Sequence, residues 1–373
     1  MSTNAKKLMM RKPSGGGGFQ TLWVMQNSYK LEIIDISNPN SMTQIRYDSN
    51  NTDNNYLFKV VWNNDLQRMY GMHNSRFSDW SGGDKADENY ITTVTGQSPG
   101  WVMAVDGING QAIVSDDIQI ASSGKRKVIN IDSNGNFTGL TGNINLTGSG
   151  SYGALSNITA IPDGYASGTT ELLWGTGAAD TWVQFRVTYS PSFSVVRSGN
   201  NAFGLLPSAG AYDATNDYFY GYSSQGQMYI KGPLFGSGWS TLDTHSDGPR
   251  HPFAEGDGGG MVFPSDFSYV LFMNGDDYKI YCTPLNPATP AFDEANQSTL
   301  THPYNTNFTS GISDYAKMMR IDETTQLAYV VLYKSSGVNV IRTIDVSDPT
   351  NISWTGNEYT LAGSSVTDIE LAM

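Results

Sequence analysis

Short turn sequences recur along this chain at a nearly constant interval, and that spacing restricts the possible folds more than any other feature. They read "WNND" at 62–65, "DGING" at 106–110, "IPDG" at 161–164, "DATND" at 213–217, "PSDF" at 264–267 and "DETT" at 322–325. Asn63 and Asp322 lie 259 residues apart, five steps of about 52. A second, independent marker agrees. "IIDISNPN" at 33–40 is echoed by "TIDVSDPT" at 343–350, and Asp35 and Asp345 are separated by 310 residues, six steps of about 52.

An apolar stretch follows each turn: "RMYGMH", "AIVSDDIQI", "ELLWGT", "YFYGYS", "YVLFMN" and "LAYVVLY". A further alternating stretch usually comes next, such as "WVQFRVTY" (182–189), "QMYIKG" (227–232), "YKIYCT" (278–283) or "NVIRTIDV" (339–346). Forty glycines and fifteen prolines break the chain at short intervals, and no segment has the period of a long amphipathic helix. Repeated units of about four antiparallel strands at this spacing describe an all-β propeller of seven four-stranded blades. Its ends are expected to meet. "VTDIELAM" (366–373) stops where a turn is due, and "FQTLWVMQ" (19–26) reads as the strand after one. Joining them in one blade removes two free sheet edges. Blade two, with the polar insert at 75–87, and blade three, with "TGLTGNINLTGSGS" at 138–151, fit least well. A β-sandwich or mixed tail-fibre fold is the alternative.

The net charge of −13 is unevenly spread. Residues 1–12 hold Lys6, Lys7, Arg11 and Lys12 and no acid, leaving −17 on the rest. An acidic body repels phosphate backbones, which argues against nucleic-acid binding. Residues 1–18 divide from the propeller (19–373) as a basic, glycine-rich arm whose Lys6, Lys7, Leu8, Met9, Met10, Arg11 and Lys12 are its docking residues. The apolar run Leu8-Met9-Met10 is too short for a signal peptide, and no window is long enough to span a membrane. Cys282, the only cysteine, sits in an apolar strand and reads as a buried structural thiol.

The echoed motif resembles the core of the LVIVD-repeat propellers, carried by Ile34-Asp35-Ile36-Ser37-Asn38-Pro39 and Ile344-Asp345-Val346-Ser347-Asp348-Pro349. The second proline of that pattern is missing from both copies. The head, "MSTNAKKLMMRKPSGGGGF", resembles the start of virion structural proteins of tailed bacteriophages, particularly marine ones. This likeness implies a non-enzymatic protein of the virion, in decoration, tail or fibre, assembled in the host cytoplasm. Its implied partners are other virion proteins, copies of itself and a host-surface glycan or receptor.

The search for chemistry finds few candidates. No nucleophile elbow, Walker loop or dinucleotide fingerprint occurs, and no cofactor is expected. Asp243, His245, Asp247, His251, Glu255 and Asp257 crowd one stretch and could ligate a divalent metal, although a water-facing loop between blades explains them as well. With a metal there, the chain would be a propeller hydrolase or lyase. "DSNGNFTG" (132–139) starts like a calcium loop, but Phe137 stands where glycine is required, so a hairpin turn is the better reading. Trp80 and Trp239 lie in polar or glycine-rich contexts, and Trp354 follows the second echoed motif. They are candidate sugar-stacking rings, against the alternative of packing between blades.

Overall fold

A computed structural model describes residues 20–26, 30–48, 57–73, 76–81, 88–92, 102–115, 125–145, 155–162, 169–176, 181–188, 193–200, 207–223, 228–233, 240–245, 261–274, 279–286, 288–304, 319–334, 337–363 and 366–373. These form an all-β propeller of seven antiparallel sheets, with one 3-10 turn at Glu294–Asn296 as the only helical element among the described residues.

The first sheet is assembled from both ends of the chain. Val366–Ala372 is its innermost strand, followed outward by Thr21–Gln26, Lys30–Asp35 and Thr43–Asp48. Thr21 pairs with Ala372 and Trp23 with Glu370, which completes the closure. The other sheets follow chain order, within residues 57–92, 102–145, 155–200, 207–245, 261–301 and 319–360, and are called second to seventh below. In the sixth, the outer position is split between Ala291–Phe292 and Ser298–Thr301, with the 3-10 turn between them. The innermost strands of the sixth, seventh, first, second, third, fourth and fifth sheets lie successively against one another, except that the fifth and sixth meet through outer strands.

One local device explains the recurring turns. Asn63, Asp106, Asp213 and Asp322 each end an innermost strand. Their side-chain oxygens accept the backbone N–H groups that the turn leaves open: Leu66 (2.9 Å), Ile108 and Asn109, Thr215 and Asn216, Thr324 and Thr325. Four residues after each cap the chain enters the left-handed region, at Gln67, Gly110, Asp217 and Gln326, with φ of 52°, 67°, 61° and 57°. A turn followed by one left-handed residue matches the twist of the flanking strands. The echoed motif is the corresponding turn further out: Asp35 accepts from Ser37 N and Asp345 from Ser347 N. The fourth-sheet turn, 163–168, lies outside the described residues, although Pro162 pairs with Thr170 on either side of it.

Seven residues after three of the caps comes a buried tyrosine on the second strand: Tyr70, Tyr220 and Tyr329. Burial raises the pKa of Tyr220 and Tyr329, and the cap carboxylates Asp213 and Asp322 raise it further. The cap and the tyrosine thus form one repeated unit.

The largest apolar cluster joins the sixth, seventh and first sheets, from Leu271 and Cys282 through Val330 and Ile344 to Ile34 and Ile369. Burial pushes the Cys282 thiol up to about 12, as expected of a structural cysteine. Within the polar insert of blade two, Arg76–Ser81 is a strand with Phe77, Ser78, Asp79 and Trp80 all buried, and residues 75 and 82–87 lie outside the described residues. Residues 138–145 likewise belong to a nine-residue strand, Phe137–Asn145. Its hairpin turn is the "DSNGN" segment, where Asp132 accepts from Asn134 N (2.8 Å) and Asn136 N (2.9 Å).

Candidate functional site

Several charged groups lie on the innermost strands, among them Lys59, Arg320, Asp368 and Glu370. The strand Val366–Ala372 reads V-T-D-I-E-L-A, so Asp368 and Glu370, two residues apart, share one of its faces. Arg320, on the innermost strand of the seventh sheet, reaches Glu370 with both arms of its fork: Nε to Oε1 at 3.1 Å and Nη2 to Oε2 at 2.9 Å. Its Nη1 donates to the carbonyl of Met319 at 2.8 Å. Burial opposes the Arg320 charge, but Glu370 and then Asp368 more than offset it, and its pKa is raised. Lys59, on the innermost strand of the second sheet, is also buried. A guanidinium and two carboxylates could orient a polar ligand. Here the fork is occupied by Glu370, and the pair ties the seventh sheet to the first.

Similar couplings recur around the ring. Glu32, fully buried in the first sheet, accepts from Tyr359 Oη (2.6 Å) and Ala362 N (2.9 Å) of the seventh. Asp79 of the second sheet accepts from Phe137 N of the third at 2.9 Å and pairs with Arg68. Asp106 of the third is bonded by Thr170 of the fourth. Asp243 of the fifth accepts from Phe292 N of the sixth at 2.7 Å. Glu323 of the seventh accepts from Ser265 N and Oγ of the sixth, each at 2.6 Å. Buried carboxylates stay in a core only when hydrogen-bonded or paired. The buried Glu32, Asp79 and Asp106 achieve it by reaching across to the next sheet, and the part-buried Asp243 and exposed Glu323 make the same kind of bond.

This use of acids corrects several expectations. Asp243 is committed to the Phe292 backbone. His245 is a buried strand residue whose Nε2 donates to Gln297 Oε1 at 2.8 Å, with the edges of its ring against Phe272 and Phe292. Its packing places it between the fifth and sixth sheets. Asp247, His251, Glu255 and Asp257 lie outside the described residues, and among those described no three His, Cys, Asp or Glu side chains converge as metal ligands. Trp80 is not an exposed sugar platform. It is fully buried, its ring centroid 5.3 Å from that of Trp23 of the first sheet. A Cβ on Gly71 would meet the Trp80 ring at 2.5 Å, so glycine is needed for that close approach. Trp354 is half-buried under the Arg342 guanidinium, 4.9 Å from its ring centroid. Trp239 and the arm residues Lys6, Lys7, Leu8, Met9, Met10, Arg11 and Lys12 lie outside the described residues.

Sequence reasoning missed the Arg320–Glu370 pair, since no motif marks a contact between residues fifty positions apart. The tyrosine seven residues after the turn Asp was visible as a repeat and would have shown which acids are structural.

No protein-family profile and no curated protein matches the chain in sequence. Solved structures do match in fold. A periplasmic gluconolactonase from Pseudomonas aeruginosa superposes with a TM-score of 0.65 at 13% identity, over 95% of this chain and 99% of that one. A Lactobacillus plantarum protein gives 0.66 at 12% identity with the same coverage. A Bacteroides uniformis protein named as a candidate 6-phosphogluconolactonase gives 0.65 at 11%, again over 95% and 99%. At such identities the likeness carries the propeller fold and nothing of the chemistry.

Proposed function

We propose that this chain is a structural propeller of a tailed-phage particle, in decoration, tail or fibre, that joins its neighbours through residues 1–18. The observation that supports this reading is the use of the described acids. Glu32, Asp79, Asp106, Asp243, Glu323 and Glu370 bind sheet to sheet and give a stiff ring. A stiff acidic body with a short basic arm suits a part held in a dense assembly. The test is deletion of residues 1–18. The truncated protein should keep its circular dichroism spectrum and melting temperature, yet fail to enter particles. Normal incorporation would remove the reading.

A second reading, lactone hydrolysis, is motivated by the names of two structural neighbours and by the Arg320–Glu370–Asp368 group on the innermost strands. Purified full-length chain incubated with gluconolactone should then open it faster than buffer alone, and Arg320→Gln should abolish the excess. An unchanged rate removes this reading.

A further inference from the structure

The described turns at one end of the propeller are acidic. In each up-and-down sheet, the turns joining first to second and third to fourth strands lie at one end. Adjacent sheets present these turns side by side, as the Ser265–Glu323 bonds and the contact of Gly107 with Asn63 show. Among the described residues, the turns at this end are 36–42, 64–67, 107–110, 132–136, 214–217, 263–268, 288–290, 323–326 and 346–352. They contain no Lys or Arg. Asp65, Asp132, Asp217, Asp266, Glu323 and Asp348 all reach its surface. Lys30, Arg76, Lys279 and Lys334 border the connections at the opposite end.

The chain enters the fold at the acidic end. Gln20 sits there, its carbonyl accepting from Ile36 N at 3.0 Å beside the Asp35 turn, and Thr21 pairs with Asp35 and Ala372. The same end also carries an exposed apolar side chain. Ile108, at the tip of the third-sheet turn, is 48% exposed, the most of any large hydrophobic among the described residues. Half-buried Leu66 of the neighbouring turn lies close to Gly107 of the Ile108 turn, near enough that a Cβ on Gly107 would meet its Cδ1 at 3.1 Å. Asp65 adjoins Leu66. This patch of one acid and two apolar groups complements "KKLMMRK" (6–12), in which four cations flank Leu8-Met9-Met10.

We infer that residues 6–12 dock on the acidic turn end of their own propeller, with Leu8, Met9 and Met10 against Ile108 and Leu66 and the cations against Asp65 and its neighbours. Seven residues, "PSGGGGF" (13–19), lie between, and a glycine-rich linker of that length has a root-mean-square span of about 15 Å, enough to cross to the next turns. A tether this short gives an effective concentration on the order of millimolar, which favours the arm's own propeller over a second copy. The inference rests on reading residues 1–18 as a docking segment, but it concerns the free protein and needs no particle.

The test is zero-length carbodiimide cross-linking of dilute full-length protein, as an equal mixture of unlabelled and nitrogen-15-labelled chains. Lys6, Lys7 or Lys12 should join Asp65 or other acids of the turn end within one chain. The yield should collapse when salt is raised from about 0.05 M to about 0.5 M. Ile108→Ser, an exposed change that leaves the melting temperature in place, should lower it about fivefold. Three outcomes overturn the inference: no such links, links only in mixed-isotope pairs (a second copy as occupant), or a yield indifferent to Ile108→Ser. Particle incorporation of the truncated chain is a separate readout. Cross-links without an incorporation defect would leave this inference and remove the virion role, and the reverse pattern would do the opposite.

Discussion

Glu32 and Asp79 occupy matching places in neighbouring sheets, yet they are held by different chemistry. Both sit on a third strand, both are fully buried, and both bond to an adjoining sheet. Asp79 is matched with a cation, Arg68, and also takes Asn89 Nδ2 (2.9 Å) and the Phe137 N–H. Glu32 has neutral donors: Gln26 Nε2 (2.9 Å), Tyr359 Oη and the Ala362 N–H. The difference follows from the surroundings. The seam between the seventh and first sheets already has the largest apolar cluster, so its acid need only be satisfied. The junction of the second and third sheets has a smaller one, built on Tyr70, Met72 and Phe137, and the ion pair fixes its geometry.

The comparison can be broken at its strongest point by deleting residues 366–373. Val366, Ile369 and Leu371 leave the core, and the inner edge of the first sheet is exposed. A loss on the order of 5 kcal/mol or more is expected, seen as an early, aggregating transition by circular dichroism and light scattering. A soluble product with an unchanged melt would show that the seam does not close the ring. Next in size is Asp79→Ala, which leaves Arg68 buried without its carboxylate and should cost about 3–5 kcal/mol in urea titration. Adding Arg68→Leu should restore part of that. Glu32→Gln sharpens the contrast. No buried cation is orphaned, so the cost should be only about 1–3 kcal/mol. Equal effects at the two sites would refute the distinction.

A smaller effect follows acidity at the junction of the sixth and seventh sheets. Burial, with help from Arg342, lowers the His302 pKa from 6.5 to about 4, and its Nδ1 accepts from Tyr304 N at 3.2 Å, which requires an unprotonated nitrogen. The unfolded chain takes up that proton more readily. Stability from this group is therefore complete above pH 6.5 and declines between 6.5 and about 4. His302→Gln should flatten the slope in that window. Smallest of all is Gln326→Gly, which relieves a left-handed residue but loosens the unfolded chain and loses the Gln326 Nε2 bond to Glu323 O. The melt should move by the equivalent of about 1 kcal/mol or less.

The turns were legible because Asn63, Asp106, Asp213 and Asp322 perform their function locally, within a few residues of themselves. Closure by 366–373 was legible for a similar reason, since a repeat that stops short must borrow its missing strand. The strand Arg76–Ser81 was obscured because Ser78 and Asp79 look solvent-facing until Arg68 and the Phe137 N–H are brought to them. Trp80 misled in the same way, its neighbours in sequence being polar while its neighbour in space is Trp23. The Arg320–Glu370 pair and the Glu32 seam depend on which sheets become adjacent, which only the closed ring determines.

The borrowed strand also orders events in time. Thr21–Gln26 leaves the ribosome 345 residues before its inner neighbour, Val366–Ala372. At roughly 5–20 residues per second, the first sheet waits tens of seconds with its inner edge unpaired. During that interval the only partner open to that edge is a strand of another chain. High-level production of this protein should therefore lose material chiefly among nascent chains, and slower synthesis should not cure it.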